Sequence, residues 1–195
     1  MRTLFAIWCC IAITNFSLAQ REELDQLEYI PWEIAQHMSK DSVFAISFEK
    51  LRLIEIPNEL WEYSMLVGLN LGKNKLTEIP SEIKRLKLLK YLYLSKNKLS
   101  VFPQVVFHLF ELEVLDVSRN DLLALPQGIA SLQKLVYLDM WDTNIPGLPD
   151  DLMELKNLRY LDMRGMTYSP TFLERWEKRL PNTQVKFDPP CNCME

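Results

Sequence analysis

Three aspartates stand at intervals of 23 residues in the second half of the chain: Asp116, Asp139 and Asp162. If each lies in a strand of one parallel sheet, strands about 4.8 Å apart would make their carboxyl groups near neighbours. A retaining glycosidase places its two catalytic carboxyl groups about 5 Å apart, so the row is a candidate for hydrolytic chemistry. Like charges this close also raise each other's pKa or attract a cation. The row permits three interpretations: a hydrolase site, a docking site for Ca²⁺ or a basic partner, or a solvated ladder neutralised by Arg119 and Arg164.

Other catalytic machinery is scarce in the sequence. The two histidines, His37 and His108, fall outside the segments that we expect to form strands. No Gly-rich phosphate loop and no nucleophile elbow is present, and the pattern indicates no enclosing pocket. The sequence therefore favours a non-enzymatic protein without a cofactor or a bound metal.

Aromatic and arginine side chains accompany the aspartates. Tyr, Trp and Arg are the residue types that dominate binding hot spots, and Trp141 is costly to leave on an open surface without use. The alternative is that tyrosine is simply a good residue for an exposed strand. We interpret the set as a binding surface for a protein or peptide. Its predicted members are Tyr91, Tyr93, Asp116, Arg119, Tyr137, Asp139, Trp141, Tyr160, Asp162 and Arg164.

These side chains belong to a sequence repeat that has no insertions or deletions. Six copies of 23 residues begin at Val43, Leu66, Leu89, Leu112, Leu135 and Leu158. Each copy alternates at period two, which predicts a short strand with one face buried. Positions 4 and 6 of the copy point inward, and positions 3, 5, 7 and 8 are expected to form an exposed concave surface. The basic residues at position 8, Lys73, Lys96 and Arg119, are interpreted as a solubilising rim.

Two further positions define the rest of each copy. Position 9 is asparagine in three copies, Asn74, Asn97 and Asn120. Because a buried amide must be hydrogen-bonded, we expect each to bond backbone groups of its own turn and the neighbouring turn. Proline occupies position 15 in five copies: Pro57, Pro80, Pro103, Pro126 and Pro149. Since proline fixes φ and lacks an N–H, the return side should be extended or a short helical turn.

The pattern L-x-x-L-x-L-x-x-N-x-L-x-x-[I/L]-P resembles the 23-residue class of leucine-rich repeats. That class occurs in Ras suppressor and scribble-type proteins and in many bacterial secreted proteins. The resemblance covers residues 43–168. It implies an α/β fold, a curved leucine-rich repeat solenoid with a parallel concave β-sheet. Stacking is also required physically, because one coil cannot bury its own apolar face. The end copies depart from the pattern, with Leu51 and Met166 at position 9.

The first residues of the chain differ from the rest. Residues 1–19 combine Arg2, an apolar run over residues 4–13 and small residues before Gln20, which is typical of a secretory signal peptide. The run is shorter than the roughly 20 residues that a membrane-spanning helix needs. We therefore predict an exported protein without a membrane span, secreted or extracytoplasmic, in the periplasm or at the cell surface if bacterial.

Both ends of the stack need a cap because terminal coils have only one neighbour. Residues 20–42 are predicted to form the N-terminal cap, and residues 169–188 a C-terminal cap helix that starts at Ser169-Pro170. This ending resembles those of bacterial leucine-rich repeat proteins. Residues 189–195 are a tail with a Cys-x-Cys pair, whose thiols would be able to join two molecules into a homodimer.

The formal net charge of −4 makes the protein a poor candidate for binding nucleic acid, which requires clustered Lys and Arg. The sequence as a whole predicts a non-enzymatic exported scaffold that binds a protein or peptide on its concave face. One alternative is a structural or adhesion module of the cell envelope, dimerised through the tail. The less favoured alternative is a hydrolase that uses the aspartate row.

Overall fold

The computed structural model describes residues 27–188; the predicted signal peptide and the Cys-x-Cys tail lie outside this range. The described residues form one sheet of eight parallel strands in sequence order, which confirms the α/β solenoid. Six strands come from the repeat copies, and one comes from each end. They are β1 (Ile30–Pro31), β2 (Ala45–Ser47), β3 (Gly68–Asn70), β4 (Tyr91–Tyr93), β5 (Val114–Asp116), β6 (Tyr137–Asp139), β7 (Tyr160–Asp162) and β8 (Gln184–Lys186).

The register of the sheet follows the repeat. Position 4 of each copy pairs with position 4 of the next, from Ile46 opposite Leu69 to Leu138 opposite Leu161. The side chains at positions 4 and 6 are completely buried along the whole stack. The core is therefore one continuous column of inward-facing residues, and each coil depends on its neighbours for burial.

The return side of each of the first five coils is a short 3₁₀ turn. These turns span Asn58–Glu62, Ser81–Arg85, Gln104–His108, Ile129–Ser131 and Asp150–Glu154. Four of the five begin directly after the proline at position 15, since proline presets φ and needs no hydrogen-bond acceptor. The fifth begins after Gly128, which has φ 103°.

Three buried asparagines tie successive coils together. Asn97 Nδ2 donates to the carbonyl of Leu94 at 2.9 Å and to that of Leu71, one coil earlier, at 3.0 Å. Its Oδ1 accepts the N–H of Leu76 at 3.0 Å. Asn74 and Asn120 repeat this arrangement in their coils. Each amide therefore satisfies backbone groups of two coils at the bend that follows the strand.

Position 8 of every repeat copy has a left-handed backbone. Gly165 occupies it in the last coil with φ 78°, but the other five coils place a non-glycine residue there with φ between 53° and 65°. These residues are Lys50, Lys73, Lys96, Arg119 and Asp142. The row that the sequence marks as a basic rim is thus also the point where each strand turns out of the sheet.

The two ends of the solenoid are closed differently. Helix α1 (Trp32–Ala35) is a single turn after β1. Helix α2 (Pro170–Arg179) begins at the predicted residue, where Ser169 Oγ accepts the N–H of Phe172 at 3.2 Å. It buries Leu173 and Trp176. The helix is shorter than the predicted 169–188 segment, because the chain turns back and adds β8 to the sheet.

Candidate binding surface on the concave face

Strands β6 and β7 present a pair of stacked tyrosines at position 3. The rings of Tyr137 and Tyr160 are nearly parallel, with centroids 4.4 Å apart and 4° between their planes. Each hydroxyl group points to the aspartate two residues later: Tyr160 Oη donates to Asp162 Oδ2 at 3.1 Å, and Tyr137 Oη to Asp139 Oδ2 at 3.4 Å. The in-register strands therefore build a rigid aromatic platform beside the aspartate row.

The three aspartates lie directly opposite one another on β5, β6 and β7. Each also serves the turn that follows its strand, because its Oδ1 accepts the backbone N–H two residues later. These N–H groups belong to Ser118, Trp141 and Arg164, at 2.9, 2.9 and 3.1 Å. Such a local bond supports the tight turn into the left-handed residue. The aspartates thus have a structural role whether or not they bind a ligand.

The charge balance differs along the row. Arg164 Nη2 donates to Asp162 Oδ2 at 2.6 Å, and its Nε bonds the same carboxylate at 3.0 Å. Arg119 lies instead near Asp142, with Nε 3.8 Å from Oδ2. Within residues 27–188, no Lys or Arg lies within ion-pair distance of Asp116 or Asp139. The predicted neutralisation by arginine therefore occurs at one aspartate of the three.

The pKa shifts follow from this imbalance. Burial, together with the negative charges of Asp116 and Asp162, raises the pKa of Asp139 to about 7. Burial also raises the pKa of Asp116, against the opposing hydrogen bonds from Ser118. For Asp162, burial again disfavours the charged form, but the hydrogen bonds and positive charge of Arg164 outweigh it and hold the pKa below its usual value. Asp116 and Asp139 are thus the two carboxyl groups of the row whose charged form the fold disfavours.

Trp141 lies beside the row, between two arginines. The guanidinium carbon of Arg119 is 4.1 Å from the indole centroid, and that of Arg164 is 5.9 Å away. The sequence predicted an open tryptophan, but these cation–π contacts leave the ring half-buried. Both guanidinium groups thus lie within cation–π distance of the indole at the C-terminal end of the concave surface.

The structure corrects the expectation that positions 3, 5 and 7 are exposed throughout. Neighbours in the adjacent strands cover several of these side chains; Tyr160, for example, is covered by the stacked ring of Tyr137. Asp162 is 1% exposed because Tyr160 and Arg164 close over it. The buried residues at these positions are Ala45, Gly68, Gly72, Val114, Ser118, Tyr160 and Asp162.

Two residues outside the repeat also reach the concave face, and neither was predicted from the sequence. The ring of Tyr29 meets that of Tyr93 edge-on, with centroids 6.1 Å apart. Lys186 on β8 places Nζ 5.0 Å from the centroid of Tyr160. No signal in the repeat pattern points to either residue, because each belongs to a segment that does not follow the 23-residue spacing.

Tyr91 and Tyr93 lie on β4, next to the strand that carries Asp116.

Among residues 27–188, no group of three or more His, Cys, Asp or Glu side chains is arranged to hold a metal ion. In the same part of the chain, no helix has the length and apolar character to cross a membrane.

Comparison with known proteins agrees with this architecture. A family model described as a leucine-rich repeat region matches residues 56–183. A leucine-rich repeat protein of Leptospira interrogans is 33% identical, with a TM-score of 0.68 over 74% of this chain and 37% of its own. No curated protein matches the sequence significantly.

Two internalins of Listeria monocytogenes share the fold at 19% identity. The TM-score is 0.62 for InlC2 and 0.59 for InlF, over 76% and 75% of this chain. The matched part of this chain spans 62% of the InlC2 structure and 40% of the InlF structure, less than two thirds of each. Because the family model covers more than half of the sequence, the protein belongs to the leucine-rich repeat family.

Proposed function

We propose that this protein is a non-enzymatic binding scaffold, and that the concave surface of its C-terminal coils binds an extended segment of a protein partner. The observation that carries the proposal is the stack of Tyr137 on Tyr160, 4.4 Å apart, held beside Trp141 and the aspartate row on in-register strands. Large aromatic side chains that are ordered before binding lose little entropy when a partner covers them. Repeat scaffolds with such concave sheets suit extended ligands.

The charges indicate the chemistry of the partner. Asp116 and Asp139 have no cation of their own among the described residues, and burial raises the pKa of both. A lysine or arginine of the partner would satisfy these carboxylates and would also contact the tyrosine faces. The partner segment we propose is therefore basic, with apolar groups flanking the charge.

The hydrolase alternative has less support. A glycosidase needs two carboxyl groups free to protonate and to attack the substrate. Asp162 is held by Arg164, and Asp116 Oδ1 accepts hydrogen bonds from both the N–H and the hydroxyl of Ser118. These partners favour a binding role for the row.

We further propose that the protein acts outside the cytoplasm. The support is the composition of residues 1–19, with one basic residue, an apolar run and small residues before Gln20. The homodimer through the Cys-x-Cys tail stays a prediction, because the tail lies outside the described residues. A non-reducing gel of the protein starting at Gln20 tests it, since a disulfide-linked dimer disappears on reduction.

The binding surface is tested with the chain from Gln20 to the C-terminus and a library of random peptides. Peptides are selected on the unmodified protein, and their affinities are then measured by biolayer interferometry for Tyr137→Ala/Trp141→Ala. We expect about a tenfold or larger loss of affinity, the size typical of a hot-spot residue. Selected peptides should be enriched in Lys and Arg, because Asp116 and Asp139 have no cationic partner among the described residues.

The matched control is Leu123→Ala, which removes an apolar side chain that is 64% exposed and lies outside the strands. It should leave every peptide affinity unchanged. If the double variant binds the selected peptides as well as the unmodified protein does, the binding surface is elsewhere and the proposal fails. Thermal melting of all variants confirms that each remains folded.

A further inference from the structure

The concave face differs between its two ends at position 3 of the repeat. The C-terminal coils carry Tyr137 and Tyr160 there, whereas the first two coils carry Ala45 and Gly68. Small side chains on an open sheet would be exposed, yet both are buried. The floor of the concave face is therefore deeper at the N-terminal end, and another part of the chain covers it.

The cover over Gly68 is the segment of residues 27–29, which we call the strap. A Cβ atom added to Gly68 would lie 2.5 Å from Leu27 Cδ2 and 2.7 Å from Tyr29 Oη, closer than carbon atoms approach such groups. With a larger side chain at position 68, the ends of the Leu27 and Tyr29 side chains would have to shift. The Tyr29 ring meets the Tyr93 ring at 72°, and burial raises the pKa of the Tyr29 hydroxyl above its ordinary value.

The strap lies on the face as an extended peptide would. Leu27 and Tyr29 are partly buried, whereas Glu28 between them is exposed. This alternation is that of an extended chain, in which side chains two residues apart point the same way. Strand pairing begins only at Ile30, so the side chains of the strap hold it more than a backbone ladder does. Contacts of this kind open locally at lower cost than the sheet.

We propose that the concave face of the first three coils is a recognition groove for an extended segment with an aliphatic residue and a tyrosine two positions apart, which the strap occupies in cis. A partner segment of the same chemistry binds there by displacing the strap. The groove is separate from the surface of the C-terminal coils, so this proposal stands or falls independently of the basic ligand proposed above.

The probe is a fluorescein-labelled peptide with the sequence of residues 27–31, added to the chain from Gln20 to the C-terminus. In the unmodified protein the strap competes from within the same molecule, at high effective concentration, and the peptide binds weakly. In Leu27→Ser/Tyr29→Ser the groove is open, and fluorescence anisotropy should show about a tenfold or larger gain in affinity. The same peptide with alanine in place of tyrosine should bind neither protein.

Two glycines provide a matched pair in the Leu27→Ser/Tyr29→Ser background. Gly68→Val fills the floor and should abolish peptide binding. Gly147→Val adds a side chain where nothing lies within 4 Å, and binding should be unchanged. Equal affinity of the unmodified and strap-variant proteins, or full binding after Gly68→Val, overturns the proposal.

A second measurement covers the case in which the strap variant does not fold. Gly68→Ala in the otherwise unmodified chain should move the Leu27 and Tyr29 side chains away from the sheet, because the added Cβ would approach their ends to less than 3 Å. Hydroxyl-radical footprinting followed by mass spectrometry should then show faster oxidation of the Leu27 and Tyr29 side chains, with Tyr137 oxidised at the same rate as before. Unchanged oxidation of Leu27 and Tyr29 would contradict a groove that holds either the strap or a larger side chain at position 68.

Discussion

Replacing Asp139 with asparagine should stabilise the protein at about pH 8. The Asp139 carboxylate is half-buried, faces two other carboxyl groups and has no cationic partner among the described residues. Asparagine removes the charge but keeps the oxygen that accepts the N–H of Trp141. Coil 2 already has this arrangement, since Asn70 Oδ1 accepts the N–H of Gly72 at 2.9 Å. The substitution therefore changes the electrostatics of the turn without removing its hydrogen bond.

The magnitude follows from proton linkage. The pKa of Asp139 rises from 3.8 in the unfolded chain to about 7 in the fold, so the folded state binds the proton more tightly. The free energy of unfolding must then fall as pH rises from about 4 to about 7, and stay level above that. At about 1.4 kcal/mol per pKa unit, the upper bound is about 4 kcal/mol. Because part of this shift comes from the charge of Asp116, whose own pKa is raised, we expect about 1 to 3 kcal/mol.

The assay is urea unfolding followed by tryptophan fluorescence at about pH 5 and pH 8. Asp139→Asn should be more stable than the unmodified protein at pH 8, with a smaller difference at pH 5. The control is Asp162→Asn, which breaks the ion pair with Arg164 and should destabilise the protein at both pH values, because its lowered pKa keeps Asp162 charged throughout this range. If Asp139→Asn destabilises at pH 8 like the control, the attribution of the raised pKa to uncompensated charge is wrong.

Two further predictions concern the turns of the coils. Asn97→Ala should lower the free energy of unfolding by about 2 to 4 kcal/mol, because backbone groups of two coils lose their partners. Thr143→Ala, at the same position of its coil but with one bond to a backbone carbonyl, should cost about 1 kcal/mol. If urea unfolding shows similar losses of stability for the two variants, the role assigned to the hydrogen bonds of Asn97 between coils is wrong. Lys96→Gly should stabilise by about 0.5 to 1 kcal/mol, since φ is 56°. Gly165→Ala, whose Cβ would approach the preceding coil's backbone to 2.9 Å, should destabilise; the same sign for both in thermal melts would refute this explanation.

The stack and its register were predictable because every copy has the same length. A constant spacing of 23 residues places equal positions opposite one another, so the pairing of Leu92 with Leu115 follows without knowledge of the fold's curvature. The same spacing is enough to predict that Asp116, Asp139 and Asp162 lie side by side, as they do on β5, β6 and β7. In such a fold each coil contacts mainly its neighbours, and local periodicity carries most of the information.

Features outside that spacing were not predictable in the same way. Strand β8 pairs Tyr160 with Gln184, an offset of 24 residues, because helix α2 replaces the 3₁₀ turn of the regular coil. The choice of ion pairs also escaped prediction. Arg119 and Arg164 occupy neighbouring positions of their copies, yet Arg164 bonds Asp162 whereas Arg119 lies over Trp141. Arg119 is itself the left-handed residue of its turn, whereas Arg164 stands one position before Gly165, so the two side chains leave the backbone at different points of the turn.

Position 3 of the repeat controls what the concave face can hold. Its backbone is the same in every coil, so the side chain there decides what lies above the sheet. Glycine at position 68 makes room for Leu27 and Tyr29 of the strap, and tyrosine at positions 137 and 160 builds a platform that leaves no such room. A repeat scaffold can thus assign one end of its concave face to its own chain and the other to a partner. The assignment requires no change in the fold, because only one exposed-face position per coil has to vary.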